Sequence, residues 1–238
     1  MLEFFRVILY QPLLNLLVLF YNLIPGEQLW LAIICLTIIV KLILFPLNRL
    51  ALKGQKSMQE LQSKLVEIRK KYPNDKARQA QETMALYKEN KVNPFASCLP
   101  LLIQFPILIA VFQVFRTGLS SSNLPLYSFV QDPGLMNTLA FGVLELSKPS
   151  LFLAILAGLL QYIQTKMLPV LSGKKVMAKE AQDENKVSAL NQQMKVMMPL
   201  FTVFIGMTLP SGLMIYWATS LVITIIEQRI IFHLGKKN

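Results

Sequence analysis

Hydrophobic positions along this chain gather in long runs that carry almost no charge. Five runs stand out, at about 29–47, 95–115, 151–168, 196–209 and 212–232. Runs of roughly 18 or more apolar residues read as membrane-spanning helices. The fourth run holds only 14 residues, short of the ~20 that cross ~30 Å of hydrocarbon. It therefore recruits flanking residues, or the bilayer thins around it. Residues 2–24 form a further apolar stretch, interrupted by Arg6, Gln11, Pro12 and Asn15. A helix lying flat in the interface fits these interruptions better than a spanning one, which stays the alternative.

Polar stretches separate the runs. Residues 49–93 read as two helices: Met58, Leu61, Leu65 and Ile68 recur at helical spacing, and Tyr72-Pro73-Asn74-Asp75 breaks the pattern. Asn74 or Asp75 is placed to cap the second helix, where Ala77, Ala80, Met84 and Tyr87 share one face. The expectation is an antiparallel hairpin with a thin apolar seam. Residues 117–150 form a loop rich in Ser, Pro and Leu, residues 169–195 form a polar loop, and Leu209-Pro210-Ser211-Gly212 is a tight turn.

The expected segments are an N-terminal amphipathic interfacial helix (1–27), a first spanning helix (28–48), the helical hairpin (49–93), a second span (94–116) and a loop (117–149). A third span (150–168), a second polar loop (169–194), a fourth span (195–209), a fifth (210–232) and a tail (233–238) follow. The fold class is all-α integral membrane protein: a five-helix bundle around a hydrophilic groove open to the cytoplasm, with a cytoplasmic hairpin.

Charge orients this arrangement. The chain has 24 Lys and Arg against 13 Asp and Glu. Eleven of the basic residues lie in 49–93, six in 166–195 and three from Arg229 onward; Arg6, Lys41, Arg116 and Lys148 complete the set. Positively charged loops stay in the cytoplasm, so the hairpin, the second polar loop and the tail face inward, and the N-terminus and 117–149 loop face outward. An odd number of spans with the N-terminus outside requires the C-terminus inside, where Lys236 and Lys237 lie. No cleavable signal, transit peptide or lipoprotein-type cysteine is expected. Cys35 and Cys98 read as packed thiols.

One residue breaks the apolar pattern. Lys41 sits within Ile38-Ile39-Val40-Lys41-Leu42-Ile43-Leu44, where a charge costs about 2.5–3.5 kcal/mol on insertion scales. Either its stem lifts the amine to the headgroups, or it faces a water-filled cavity within the bundle. Polar residues in other runs favour the cavity. Thr37, Lys41 and Asn48 share a face, as do Ser97 and Gln104, while Gln161, Gln164 and Thr165 cluster on the third run. Tyr216, Ser220 and Glu227 form a stripe on the fifth run, with Glu227 equally readable as an interface residue near the cytoplasmic end. Single polar residues also serve as interhelical glue.

The sequence contains no GxxxxGK[ST] phosphate loop and no HExxH. His233, the one histidine, stands at the C-terminal membrane edge, and no nucleophile–base pair is visible. No enzyme, cofactor or metal site is expected.

The segments QPLLNLLVLFYNLIP from Gln11, LTIIVKLILFPL from Leu36, NPFASCLPLLIQFPILIAVF from Asn93 and MMPLFTVFIGMTLPSGLMIYWATSLVITIIEQ from Met197 resemble the YidC family of insertases, which includes the Oxa and Alb proteins of mitochondria and thylakoids. The resemblance covers nearly the whole chain, including the MQELQSKLVEIRKKYP pattern of the hairpin. It implies a five-helix core around a groove open to the cytoplasm and to lipid, and an insertase that hydrolyses no nucleotide. The family usually carries Arg where this chain has Lys41; Arg is always charged and offers a planar fork, whereas Lys can lose its proton when desolvated. Bacterial homologues with a large outer domain differ as well, and no such domain is expected within these residues. By resemblance, Gln164 (or Gln161) and Trp217 line the groove near Lys41.

The implied partners are nascent membrane proteins and the lipid bilayer. The basic hairpin and tail permit ribosome contact, and the Sec translocon is a further candidate. Met194, Met197 and Met198 offer a flexible apolar surface for varied guests, or ordinary core packing. The expected groove residues are Lys41, Thr37, Gln104, Gln161, Gln164, Tyr216, Trp217 and Ser220. Two other classes remain in view: a small-solute transporter, against which no inverted repeat is visible, and a factor that holds membrane proteins without inserting them.

Overall fold

The computed structural model describes residues 3–93, 99–118, 124–167 and 196–234. Helix α1 spans Glu3–Leu23. A π-helical turn over Arg6–Tyr10 interrupts it, where the Gln11 N–H reaches back to the Arg6 carbonyl. The wider turn sits directly before Pro12, whose ring a regular α-helical turn would crowd against the preceding carbonyls. Helix α2 spans Leu29–Glu60, with Pro46 inside it. Its 32 residues make a rod about 48 Å long at ~1.5 Å per residue. The hairpin continues as α3 (Gln62–Lys71) and α4 (Lys76–Glu89). Then come α5 (Leu99–Gly118), a two-stranded antiparallel hairpin of β1 (Leu139–Ala140) and β2 (Leu144–Glu145), α6 (Leu151–Met167), α7 (Val196–Gly206) and α8 (Ser211–Leu234).

Helix α8 is the axis of the molecule. It packs along α2 and α6 and touches α5, while α1 crosses α2 and α5. The core joins Leu14, Leu17 and Val18 of α1 to Ile33 and Leu36 of α2, Val111 and Val114 of α5, and Leu213 and Met214 of α8. Outward faces are also apolar: Ile43, Phe105, Phe152 and Phe204 are all exposed. Apolar surface on this scale, on several helices at once, calls for a non-aqueous surrounding. By length and composition, Glu3–Leu23, Leu29–Glu60 and Ser211–Phe232 are long and apolar enough to cross a membrane, and Leu102–Thr117, Leu151–Met167 and Val196–Gly206 are shorter apolar helices. Glu3–Leu23 thus meets the length requirement of the spanning alternative as well.

The first span and the hairpin are not separate helices. Nothing breaks the backbone at 48–49, and α2 runs on to Glu60 before a turn at Leu61. The break at 72–75 is present, and Asp75 is the cap: its carboxylate accepts from the Arg78 N–H at 2.9 Å. The seam differs from the expected one on its second helix. Ala77, Ala80 and Met84 are exposed, and Leu86 turns inward onto Leu61 and Leu65, flanked by Ile68, Tyr87 and Val92. Alanine offers too little apolar area to decide a face, so Leu86 and Tyr87 set the rotation of α4. Burial pushes the Tyr87 phenol above its ordinary range, and nearby Arg69 pulls it back.

The polar interruptions of α1 have a structural use. Gln11, Asn15 and Asn22 lie on one face and bind the backbone of the 124–149 loop. Asn15 Oδ1 accepts from the Tyr127 N–H at 2.6 Å, and its amide donates to the carbonyls of Gln11 (2.8 Å) and Pro125 (3.3 Å). Gln11 donates to Pro125 O, and Asn22 donates to Gln131 O at 2.8 Å. Tyr21 Oη accepts from the Asn137 N–H at 2.8 Å. The same loop caps α8, whose first N–H groups at Ser211 and Gly212 donate to the carbonyls of Lys148 (2.9 Å) and Leu146 (3.0 Å). At the loop tip the Phe141 ring packs on Trp30, at the start of α2, with centroids 4.4 Å apart. Strands of two residues are too short for alternation to reveal them in sequence.

Two predictions follow from this packing. Asn15→Leu keeps the branched shape but orphans the Tyr127 N–H. Lost partners of this kind cost about 1–3 kcal/mol, so a lower unfolding midpoint in detergent and faster protease cleavage within 124–149 are expected. Unchanged values of both would refute the clamp. A Cβ added at Gly158 would overlap Val203 Cγ2 and stand 3.2 Å from the Pro199 carbonyl, so α6 and α7 touch through it. Gly158→Val overpacks this contact, at a cost of about 1–3 kcal/mol, and thermal unfolding should register the loss.

Candidate functional site

The polar stripe of α8 faces α2. The two helices run parallel: Ile33 lies beside Gly212, and eight residues further on Lys41 reaches Thr224. The Lys41 side chain is buried, 7% exposed, and its Nζ donates to Thr224 Oγ1 at 2.9 Å. That hydroxyl in turn donates a hydrogen bond to the Ser220 carbonyl at 2.8 Å, so it accepts and donates at once. Lys41 therefore turns into the bundle, toward α8, rather than along its own helix to the headgroups.

One turn below Thr224, Glu227 is buried at 6% exposure and lies within the electrostatic field of Lys41. The Asn48 amide, two turns after Lys41 on the same face of α2, hydrogen-bonds this carboxylate. Glu227 Oε2 and Gln228 Oε1 are buried without a hydrogen-bond partner. Buried polar atoms in folded proteins are nearly always satisfied by protein or water, so these oxygens mark a place with polar capacity to spare.

The other expected groove residues distribute as follows. Thr37 is fully buried but returns its hydroxyl to its own helix, donating to Ile33 O at 2.7 Å. Gln104 Nε2 donates to Tyr216 Oη at 3.2 Å, tying α5 to α8 about two turns above Thr224. Gln161 and Gln164 pair with each other on α6 at 3.1 Å. Trp217 is half-buried against the apolar core, and Ser220 contributes its carbonyl to Thr224. The described contacts thus join Lys41, Thr224, Ser220, Asn48 and Glu227 in one cluster and Gln104 with Tyr216 in a second. They link the α6 glutamines to neither. Met197 is exposed and Met198 half-buried, while Ser97, Met194 and the 169–195 loop lie outside the described residues.

Thr224 does not stand out in the sequence, because a threonine between Ile223 and Ile225 reads as one more β-branched residue. Its signal is position: four residues after Ser220 and eight after Tyr216, it continues their stripe. Thr224→Val preserves shape and removes the acceptor. Bonds to a charged donor contribute about 1.5–3 kcal/mol, so the unfolding midpoint in detergent should fall, with Thr224→Ser restoring most of it. A Val variant as stable as the wild type would show that the bond is idle.

Comparisons with known proteins identify the family and the fold. The 60Kd inner membrane protein family matches residues 19–238. The membrane protein insertase YidC of Syntrophus aciditrophicus is 36% identical over 217 residues, covering 91% of this chain and 35% of that protein. The YidC of Haemophilus influenzae is 36% identical over 202 residues, covering 85% of this chain and 33% of its own length. That of Actinobacillus pleuropneumoniae is 35% identical over 230 residues, with coverages of 95% and 37%. The chain therefore spans about a third of the length of these relatives. A solved structure described as an active YidC insertase with its first transmembrane domain resolved matches at a TM-score of 0.59 and 24% identity, over 94% of this chain and 46% of that one, and so shares the fold. With its mostly helical architecture, its exposed apolar faces and a family match over more than nine-tenths of its length, the chain belongs to the 60Kd inner membrane protein family, the YidC family that its sequence segments resemble.

Proposed function

We propose that this chain acts as a membrane protein insertase core. On this reading α2, α5, α6, α7 and α8 are the five spans, α1 lies at the outer interface, and the hairpin and C-terminus face the cytoplasm. A nascent membrane protein presents an apolar segment with a short polar, often acidic flank. The flank enters a hydrated groove beside α2 and α8, where water and polar side chains lower its desolvation cost and Lys41 attracts its negative charge. The apolar segment then leaves between helices into lipid. Burial of its surface, worth about 25 cal/mol per Å², drives the step, and no nucleotide is hydrolysed.

The observation that carries this reading is Lys41: a buried ammonium held on Thr224, with the Glu227 carboxylate and the unmet Gln228 Oε1 one turn further along α8. A lysine that served only to anchor a helix end would be exposed at a terminus. The eleven Lys and Arg of 49–93 support an additional role for the hairpin in receiving guests or touching the ribosome, although positive-inside bias and contact with anionic lipid account for much of that charge. Family membership supports nascent membrane proteins as the guests, and the Sec translocon is a further proposed collaborator.

The test is insertion into proteoliposomes of a small one- or two-span protein with an acidic translocated flank, scored by protease protection. Wild type and Lys41→Arg should insert. Lys41→Ala should lose about tenfold, the equivalent of ~1.4 kcal/mol of lost attraction, and Lys41→Glu should lose more. If all variants match wild type, Lys41 is not the working charge. If wild type inserts no more than empty liposomes, the insertase reading fails.

A further inference from the structure

The cluster contains one group that attraction of an acidic flank does not call for. Glu227 sits on the α8 stripe three residues after Thr224, adjacent to it on the helix face, and Asn48 sits seven residues after Lys41 on α2. The parallel helices thus make two rungs, Lys41 on Thr224 and Asn48 on Glu227. Glu227 is 6% exposed, and one of its two oxygens has no hydrogen-bond partner. A carboxylate of this kind is costly to bury, and helix packing does not need it: an amide would keep the Asn48 bond. What it adds is negative charge one turn from the Lys41 ammonium.

We propose that Glu227 is a specificity-determining residue, a built-in acid that balances Lys41 when the groove is empty and that an incoming acidic flank must outcompete. The inference rests on the insertase reading above and assigns Glu227 a part in it. With both charges present, the empty groove is near neutral, which offsets the cost of a lone buried ammonium. An acidic flank that reaches Lys41 takes over the role of counter-charge, while Asn48 retains Glu227. A neutral flank gains less, and a basic flank finds Glu227 as its own partner. The pair therefore tunes how strongly insertion depends on flank charge, rather than how well apolar segments enter lipid.

This differs from a groove in which Lys41 acts alone. There, Lys41→Gln would flatten the dependence on flank charge. Here the same substitution leaves Glu227 uncompensated and should reverse the preference, so that basic flanks insert better than acidic ones. Three substrates identical except for an acidic, neutral or basic flank would be inserted into zwitterionic proteoliposomes, which remove the contribution of anionic lipid. Wild type should favour the acidic flank modestly. Glu227→Gln should raise the acidic-to-neutral ratio several-fold, Lys41→Gln should invert the order, and the double variant should show no preference. In detergent, each single variant should lower the unfolding midpoint by leaving one unbalanced buried charge, and the double variant should recover part of the loss. An unchanged flank ratio in Glu227→Gln, with wild type active, overturns the proposal, as does a double variant whose midpoint loss equals the sum of the singles. If wild type inserts none of the substrates, the insertase reading itself fails, and the midpoint cycle still decides whether the two charges are coupled.

Discussion

A primary ammonium carried midway along an apolar helix must be given partners, and much of this bundle follows from how Lys41 gets them. A charge at that depth costs about 2.5–3.5 kcal/mol even on the mildest scale. Its stem reaches only a neighbouring helix, so α8 has to present a hydroxyl at one height and polar groups just below it. Thr224 suits the position because its oxygen accepts from Lys41 while its proton satisfies the Ser220 carbonyl. That requirement fixes the rotation of α8 about its axis. Once Ser220, Thr224 and Glu227 face α2, the opposite sides of both helices are free to be apolar. The exposed Ile43 on α2 and Ile226 on α8 belong to those sides.

At the other end of the bundle most of the described polar groups are committed to one another, Gln113 Oε1 on α5 excepted. Asn15 meets three backbone groups, Tyr21 and Asn22 meet two more, and the 146–148 carbonyls receive the first N–H groups of α8. An irregular loop over a bundle of this kind needs such partners, since apolar surroundings offer none to its backbone. Helix α1 therefore does more than cover the core: its amide side chains supply the hydrogen bonds that the 124–149 loop lacks internally.

Much of the helical layout was legible in the sequence, because apolar runs and the break at 72–75 are strong local signals. Lys41 was legible too, as the one charge in a run that otherwise had none. Other features depended on tertiary contact. The polar residues of α1 read as interruptions, yet Gln11, Asn15 and Asn22 are the bonds that seat a loop more than a hundred positions away. The inward face of α4 is not legible from spacing, because alanines carry little weight against one leucine and one tyrosine. Thr224 was hidden by its resemblance to the β-branched residues beside it. Thr37, which shares a face with Lys41, turns its hydroxyl back to its own helix, a local choice that spacing cannot reveal.

The two ends thus differ in how fully their polar capacity is used, and that difference bears on mechanism. Where the loop meets α1 and α8, most described donors and acceptors are matched, the buried Gln113 Oε1 of α5 being an exception, and less is left to offer a guest. Toward the hairpin, Glu227 Oε2 and Gln228 Oε1 are buried and unmet, and the Lys41 ammonium has one of its three donors on Thr224. Unmet groups are costly in a closed bundle and useful in one that admits water and polar chain. If guests enter from the hairpin side, as the insertase reading holds, the unmet groups lie where a polar flank first needs replacement for its lost water. The matched groups lie where a leak would otherwise open, so directionality would then come from the arrangement of hydrogen bonds rather than from a moving part.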